Sequence, residues 1–244
     1  MSPTPRTLPG LQAIGRRILP QALLDRLDPV EARIRAAVAG LAGNLAHGNR
    51  VLDAGAGECR FRPLFARARY VSIDHERGDV SWDYSRLDVI GDLEALPLAS
   101  RAFDGVLNIV VLEHVERPEK ALEEMARVLK PGGRLLLVAP LEWELHQVPE
   151  DYFRFTAYGL RSLLGRVGFR IVRLEPMGGY FWLLGRRAFN FLGFFQTGWR
   201  VILLPLFVPI FGLLLPLAGY YLDWLDREKA FTLGYIVVAE KAAS

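Results

Sequence analysis

Apolar residues recur along this chain with two different periods, and the changes of period mark out its elements. From 20 to 46, Leu23, Leu24, Leu27, Val30, Ile34, Val38 and Leu41 fall near helical spacing, which predicts a helix. From 50 onward, short apolar runs bounded by glycines and acids take over. RVLDA (50–54), YVSID (70–74), LDVI (87–90) and FDGVLNIVV (103–111) read as strands. Helical spacing returns at 117–129, with Leu122, Met125, Val128 and Leu129 on one face and Pro118 in the first turn; KPGG then stops the helix. RLLLVAP (134–140) reads as a buried strand. Thr156 is placed to cap a helix carrying Leu160, Leu163, Leu164 and Val167, which Gly168 closes. FRIVRLE (169–175) and FTLGYIVVAE (231–240) are the last two strands. Strands alternating with helices predict an α/β fold built on a doubly wound, mostly parallel sheet.

Composition narrows the picture a little. With 244 residues, 51% of them apolar, the chain suits one large domain or one domain with an appendage. A net charge of only +3 argues against a nucleic-acid partner. Cys59 is the single cysteine, so there is no internal disulfide and no cysteine-rich zinc site, and no metal is expected. The stretch MSPTPRTLPGLQAIGRR lacks a continuous apolar run and a cleavage site, so it does not read as a secretory signal. The catalytic part is therefore expected on the cytoplasmic side.

Candidate chemistry starts at VLDAGAGECR (51–60), where a strand is expected to run into a glycine turn that opens a helix. Glycine serves where backbone must bend sharply and approach a ligand closely. A dinucleotide site would want a third glycine at position 60, where Arg60 stands. Asp74 ends the next strand, a position from which a carboxylate can accept both ribose hydroxyls of a nucleoside. Asp92, in GDLEALP (91–97), lies in a turn where it can accept from an adenine amino group. The fourth piece is VLEHVERPEKALEEMARVLKPGGRLLLVAP (111–140). Asp104 and Glu113 read as groups doing local structural work, and His114 as structural or catalytic.

Together LDAGAG, the strand-end acid, the GD…LP turn, LEHV and LKPGG resemble class I S-adenosylmethionine (SAM)-dependent methyltransferases, especially the bacterial small-molecule and quinone-type branch. The resemblance covers roughly 48–175 and 231–240. It implies SAM as cofactor and a Rossmann-like seven-stranded sheet whose last strand is antiparallel. It implies that Asp53, Gly55, Ala56 and Gly57 cradle the methionine end of SAM. Asp74, with neighbouring His75, would hold the ribose, Asp92 and Leu93 the adenine, and Asn108 would lie beside the amino-acid moiety. One departure is Cys59, where the family has its third glycine.

Such an enzyme aligns an acceptor with an already electrophilic methyl group, and an acceptor oxygen also wants a base. The segment LEWELHQVPEDYFRFT (141–156) follows the fifth strand, at the sheet end where ligands bind in this architecture. His146 is its candidate base, and Tyr152 and Arg154 are candidate acceptor contacts. A similar HxxPxDYFRFT stretch occurs in methyltransferases resembling those of surface-polysaccharide or lipid pathways.

Residues 176–222 hold Arg186, Arg187 and Arg200 and no acid, and 201–222 carry no charge at all. This is an insertion between the last two strands, so the expected division is an N-terminal helical arm (1–47), a SAM-binding domain (48–175 and 231–244) and an apolar insertion (176–230). Both flanking strands must lie on one side of any membrane, which excludes a single span. Pro205, Pro209 and Pro216 break a straight helix. The expectation is a kinked, re-entrant helical hairpin in one leaflet, its arginines toward lipid headgroups, beside the acceptor site. The chain then reads as a peripheral or monotopic methyltransferase on the cytoplasmic side of the membrane, acting on a lipid or lipid-linked small molecule. Two alternatives stay open: a methyltransferase for a soluble metabolite or sugar, with the insertion as cap or dimer contact, and a non-catalytic membrane adaptor. Acceptor atom, oligomeric state and the choice between a re-entrant hairpin, two spans (the second over 178–198) and a soluble cap are left undetermined.

Overall fold

The computed structural model describes residues 9–78 and 81–242; the expected arm over 1–8 and the terminal 243–244 lie outside the described residues. Three helices come first, α1 (Pro9–Ile18), α2 (Gln21–Leu27) and α3 (Pro29–Asn44). The single helix expected over 20–46 is thus two. Asp28, preceding Pro29, is forced out of the helical region (φ −126°, ψ 72°), and its carboxylate then caps α3 by accepting the Glu31 N–H at 3.2 Å.

The strands follow as β1 (Arg50–Ala54), β2 (Arg69–Asp74), β3 (Val89–Ile90), β4 (Phe103–Ile109), β5 (Leu129–Pro140), β6 (Phe169–Pro176) and β7 (Gly234–Lys241). They form one seven-stranded sheet in the order β3-β2-β1-β4-β5-β7-β6. The pairs β1 with β2, β1 with β4, β2 with β3 and β4 with β5 are parallel, and β7 runs antiparallel to β5. Two helices cross between strands, α4 (Pro118–Val128) and α5 (Ala157–Arg166). Pro118 starts α4 where its missing N–H costs nothing, and Thr156 Oγ1 caps α5 by accepting from Gly159 N–H at 3.0 Å. The core centres on fully buried Leu52, Ile73, Phe103, Met125 and Leu135.

The helix expected after the glycine turn is absent. A single 3₁₀ turn, Arg62–Phe65, stands in its place. Cys59 is left-handed (φ 56°), and only three residues separate the turn from β2 at Arg69, which leaves no length for an α-helix.

The chain divides into two compact units. The sheet unit comprises Ile34–Leu141, Leu145–Glu175 and the chain from Gly234. The second comprises the chain up to Arg33, Glu142–Glu144 and Pro176–Leu233, so the expected arm 1–47 is shared between them. In the sheet unit, α3 buries Ile34, Val38 and Leu41.

Within the second unit, Pro176–Leu233 forms a helical hairpin. Its first arm is α6 (Tyr180–Phe191). Its second is a continuous helical segment, Gly198–Leu225, of varying pitch, including α7 (Leu204–Phe207), a π-helical stretch Val208–Leu214 and α8 (Leu215–Leu222). Pro209 and Pro216 cannot donate to the preceding turns, and the wider π pitch falls where those bonds are missing. The arms are antiparallel and close at their glycines: Gly219 lies against the Phe181 carbonyl and Gly185 against Pro216. Phe191, Phe207 and Phe211 fill the open end, with Phe191 and Phe211 centroids 4.5 Å apart. Asp223 ties the base by accepting the N–H groups of Gly179 (3.0 Å) and Trp182 (3.2 Å) and pairing with Lys229 at 2.6 Å.

Arg186 and Arg187, expected toward lipid headgroups, have an acidic partner within this unit. Arg186 pairs with Glu144 at 2.5 Å and lies over the Trp143 ring at 3.8 Å, and Arg187 reaches the same carboxylate at 3.3 Å. Charge-assisted hydrogen bonds to one half-buried carboxylate fix where both guanidinium groups lie.

Candidate active site

Where β1 ends, the backbone turns through Gly55 (φ 88°) and Gly57 (φ 49°), a conformation that favours glycine. A Cβ on Gly55 would stand 2.4 Å from Val111 Cγ1, and one on Gly57 would stand 3.1 Å from the Trp82 ring. Ala56, between them, is buried and donates its N–H to the Ile73 carbonyl at 3.1 Å. Cys59 takes the left-handed conformation itself with its side chain fully buried, so the departure from glycine keeps the turn at the cost of local strain.

Asp74 closes this turn from the next strand. Its carboxylate accepts the N–H groups of Gly57 (2.9 Å) and Glu76 (3.0 Å) and faces His75 Nδ1 at 3.2 Å. Burial pushes its carboxyl up, but the bonds from His75, Gly57 and Glu76 outweigh that and hold it below the usual range. His75 is raised by its bond to Asp74, and its Nε2 stands 3.4 Å from Glu150. A carboxylate has about four lone-pair sites, so these contacts leave strong acceptance for one further hydroxyl; two would require His75 to turn away. Asp92 is exposed and forms an Asx turn with the Glu94 N–H (2.8 Å), with Leu93 buried beside it. Asn108, fully buried on β4, donates Nδ2 to the Ala54 carbonyl at 2.9 Å, and its Oδ1 has no partner. A buried orphan acceptor next to a glycine cradle suits a cationic ligand group, so these residues fit SAM.

Asp53 is buried on β1, and its carboxylate accepts the hydroxyl proton of Tyr70 on β2. Nearby, Arg62 joins Ser72 Oγ (3.0 Å) to Asp88 (2.7 Å). The sequence reading contained neither Tyr70 nor this network. Both link positions 10 or more residues apart, through the β1–β2 register that pairs Val51 with Tyr70 and Asp53 with Ser72.

On the other side of the β4 end, Val110 is held at φ 58°, an outlier for a β-branched residue, and the chain then enters the 3₁₀ turn Leu112–His114. Glu113 is fully buried and both its carboxylate oxygens lack hydrogen-bond partners, so it is no capping group. His114 Nε2 stands 3.1 Å from His146 Nε2, and His146 Nε2 stands 3.4 Å from Glu113 Oε1. His146 thus lies in a cluster rather than alone. Asp151 accepts the His146 backbone N–H at 3.0 Å and is clasped by Arg154 at 2.5 and 2.8 Å. Arg154 therefore spends its fork on Asp151 rather than on an acceptor. Tyr152 is exposed, with its hydroxyl donating to Glu116 at 3.2 Å.

Residues 52–137 match the family model described as a methyltransferase domain. This stretch is a methyltransferase domain. Over 96 residues it is 41% identical to a demethylmenaquinone methyltransferase of Renibacterium salmoninarum, covering 37% of this chain and 40% of that protein. Over 97 residues it is 36% identical to a malonyl-[acyl-carrier protein] O-methyltransferase of Methylococcus capsulatus, covering 35% of each. The chain thus spans well under half the length of these curated relatives. The fold is shared with the [4+2]-cyclase SpnF, with TM-score 0.57 and 24% identity over 87% of this chain and 81% of that one.

In this methyltransferase domain, Asp53 carries the clearest pH signature. Burial pushes its carboxyl from the ordinary 3.8 up to about 6, against the lowering effect of the Tyr70 bond. The folded state therefore favours the protonated form. That contribution is fully present below pH 4 and is lost as pH rises through about 6, a change of about 3 kcal/mol. Most other shifted carboxylates move the other way, so the difference between parent and Asp53→Asn isolates it. We expect Asp53→Asn to melt at nearly the parent's temperature at pH 4 and above it at pH 7.5, by differential scanning calorimetry of cofactor-free protein. A constant difference across that range would remove Asp53 as the titrating group.

Proposed function

We propose that this chain is a SAM-dependent methyltransferase held at one membrane leaflet, on its cytoplasmic side, which methylates a lipid or lipid-linked small molecule. Bound SAM supplies a sulfonium methyl group that needs no further activation. The chain's own residues position and desolvate. Asp53 and the Asn108 Oδ1 offer acceptors to the cationic methionine end, which the Gly55–Gly57 turn lets approach closely. Asp74 takes a ribose hydroxyl, and Asp92 with Leu93 borders the adenine. On the acceptor side, His146, within its cluster, holds the proton of an acceptor hydroxyl, with Tyr152 at the exposed rim.

The observation carrying the membrane part is the segment Gly198–Leu225. It is 28 residues long, and only 11% of its most apolar 18-residue window is buried. Val201 to Leu222 carry no charge, and Ile202, Leu206 and Leu214 are each more than 60% exposed. An apolar surface of this length is matched by hydrocarbon. Because β6 and β7 are neighbours in one sheet, the hairpin must leave and return on the same side, which favours insertion into one leaflet. Relatives named for demethylmenaquinone and for malonyl-acyl carrier protein support a carried or small-molecule acceptor.

The test is to incubate the protein and its native membranes with methyl-labelled SAM and divide the label between organic and aqueous extracts. We expect label in the organic phase. Label confined to the aqueous phase would refute the lipid acceptor while leaving methyl transfer intact.

A further inference from the structure

We propose that Glu113, His114 and His146 form a divalent transition-metal site with an open coordination position, best matched to Zn²⁺. One ligand atom from each converges: His114 Nε2 and His146 Nε2 are 3.1 Å apart, His146 Nε2 and Glu113 Oε1 3.4 Å, and His114 Nε2 and Glu113 Oε1 3.8 Å. Two ligand atoms bound at about 2.05 Å to a tetrahedral Zn²⁺ stand about 3.3 Å apart, so the three separations bracket the edge of such a site. Two imidazoles and one carboxylate are a set that binds zinc or iron with positions left for water or substrate.

The protonation pattern points the same way. His114 Nδ1 lies 2.5 Å from the Glu150 carbonyl. A carbonyl only accepts, so Nδ1 carries the proton and Nε2 presents a lone pair to the cluster. On His146, Nδ1 faces Asp151 at 3.7 Å, and Arg154 fixes that carboxylate. This is the second layer that orients metal-bound histidines. Glu113 gives the independent observation: its carboxylate is fully buried and both oxygens are without donors. An uncompensated buried carboxylate costs several kcal/mol, and a cation among these three atoms removes that cost.

His114 and Glu113 are adjacent in sequence, but His146 comes from the segment after β5, 32 residues on. The set lies wholly within the sheet unit, at the end of β4. The inference goes beyond the proposed function and holds whether the acceptor is lipid or soluble; with a metal bound, His146 Nε2 is a ligand in place of the proton-holding role given it above. Its open position would take water or an acceptor oxygen.

The experiment uses the full, untagged chain, stripped with chelator and titrated with Co²⁺ alone. Visible d–d absorption and metal content after desalting are read. We expect one Co²⁺ per chain with the bands of a four- or five-coordinate site, displaced by Zn²⁺. Affinity should fall at least tenfold in Glu113→Gln and in His146→Ala. Folding is followed by thermal melting rather than by SAM binding, so a failed cofactor reading would not be mistaken for a lost metal site. His146 is partly exposed, so His146→Ala keeps the test sound if Glu113→Gln does not fold. A folded parent that takes up no Co²⁺, or variants that bind it as the parent does, would overturn the site.

Discussion

Asp74→Ala is expected to weaken SAM binding on the order of 100-fold or more. The substitution removes the acceptor for the proposed ribose contact and also for the Gly57 and Glu76 N–H groups, which it holds at 2.9 and 3.0 Å. Hydrogen bonds to an ionised carboxylate contribute about 1.5–3 kcal/mol each, so losing the cofactor bond together with the turn's fixed shape amounts to at least two decades. Asp74→Asn keeps one acceptor oxygen and one comparable shape. It should lose roughly tenfold, since an amide has half the acceptor capacity and no charge. Equilibrium dialysis with labelled SAM measures both. Equal affinity in parent and Asp74→Ala would mean that the cofactor's ribose does not lie at the end of β2.

Gly219→Leu is expected to separate the two arms of the helical hairpin, at a cost of about 3 kcal/mol or more. A Cβ at Gly219 would sit 2.4 Å from the Phe181 carbonyl oxygen and 3.6 Å from Gly185 Cα. Those neighbours are backbone atoms, which cannot move aside as a side chain does, so the strain exceeds ordinary core overpacking of about 1–3 kcal/mol. Gly212→Ala is the comparison. Its nearest neighbour is Leu192 Cδ1 at 3.2 Å, a mobile side-chain end, and alanine favours helix, so the change should be near neutral. Denaturant midpoints and limited proteolysis between 176 and 233 read out the difference. If Gly219→Leu and Gly212→Ala behave alike, the arms are not held by the close approach at Gly219.

The two sides of the active site were unequally legible. On the cofactor side, the glycine turn, the strand-end Asp74 and the Asp92 turn each announce themselves within a few residues, because a tight turn after a strand needs particular residue types wherever it occurs. The acceptor side depends on pairing across distance. His146 stood out alone, Arg154 looked free for an acceptor, and Glu113 looked like a local group. The structure instead seats Arg154 on Asp151 and joins Glu113 to both histidines. The hairpin shows the same division. Its uncharged run and its prolines were plain, yet the use of Arg186 and Arg187 was not, since Glu144 lies 42 residues before Arg186.

By itself the sequence determined the α/β alternation, the place of the insertion between the last two strands, the glycine turn after the first strand and the apolar character of 201–222. All of these follow from local spacing and chain continuity. Only the tertiary structure decided which charges are spent on partners, how the glycines let two helices meet, and that a buried carboxylate and two imidazoles share one point. Those depend on strand register and on how loops fold back. Their energies come from burial and short-range contact, which exist only once distant segments are brought within a few ångströms of each other.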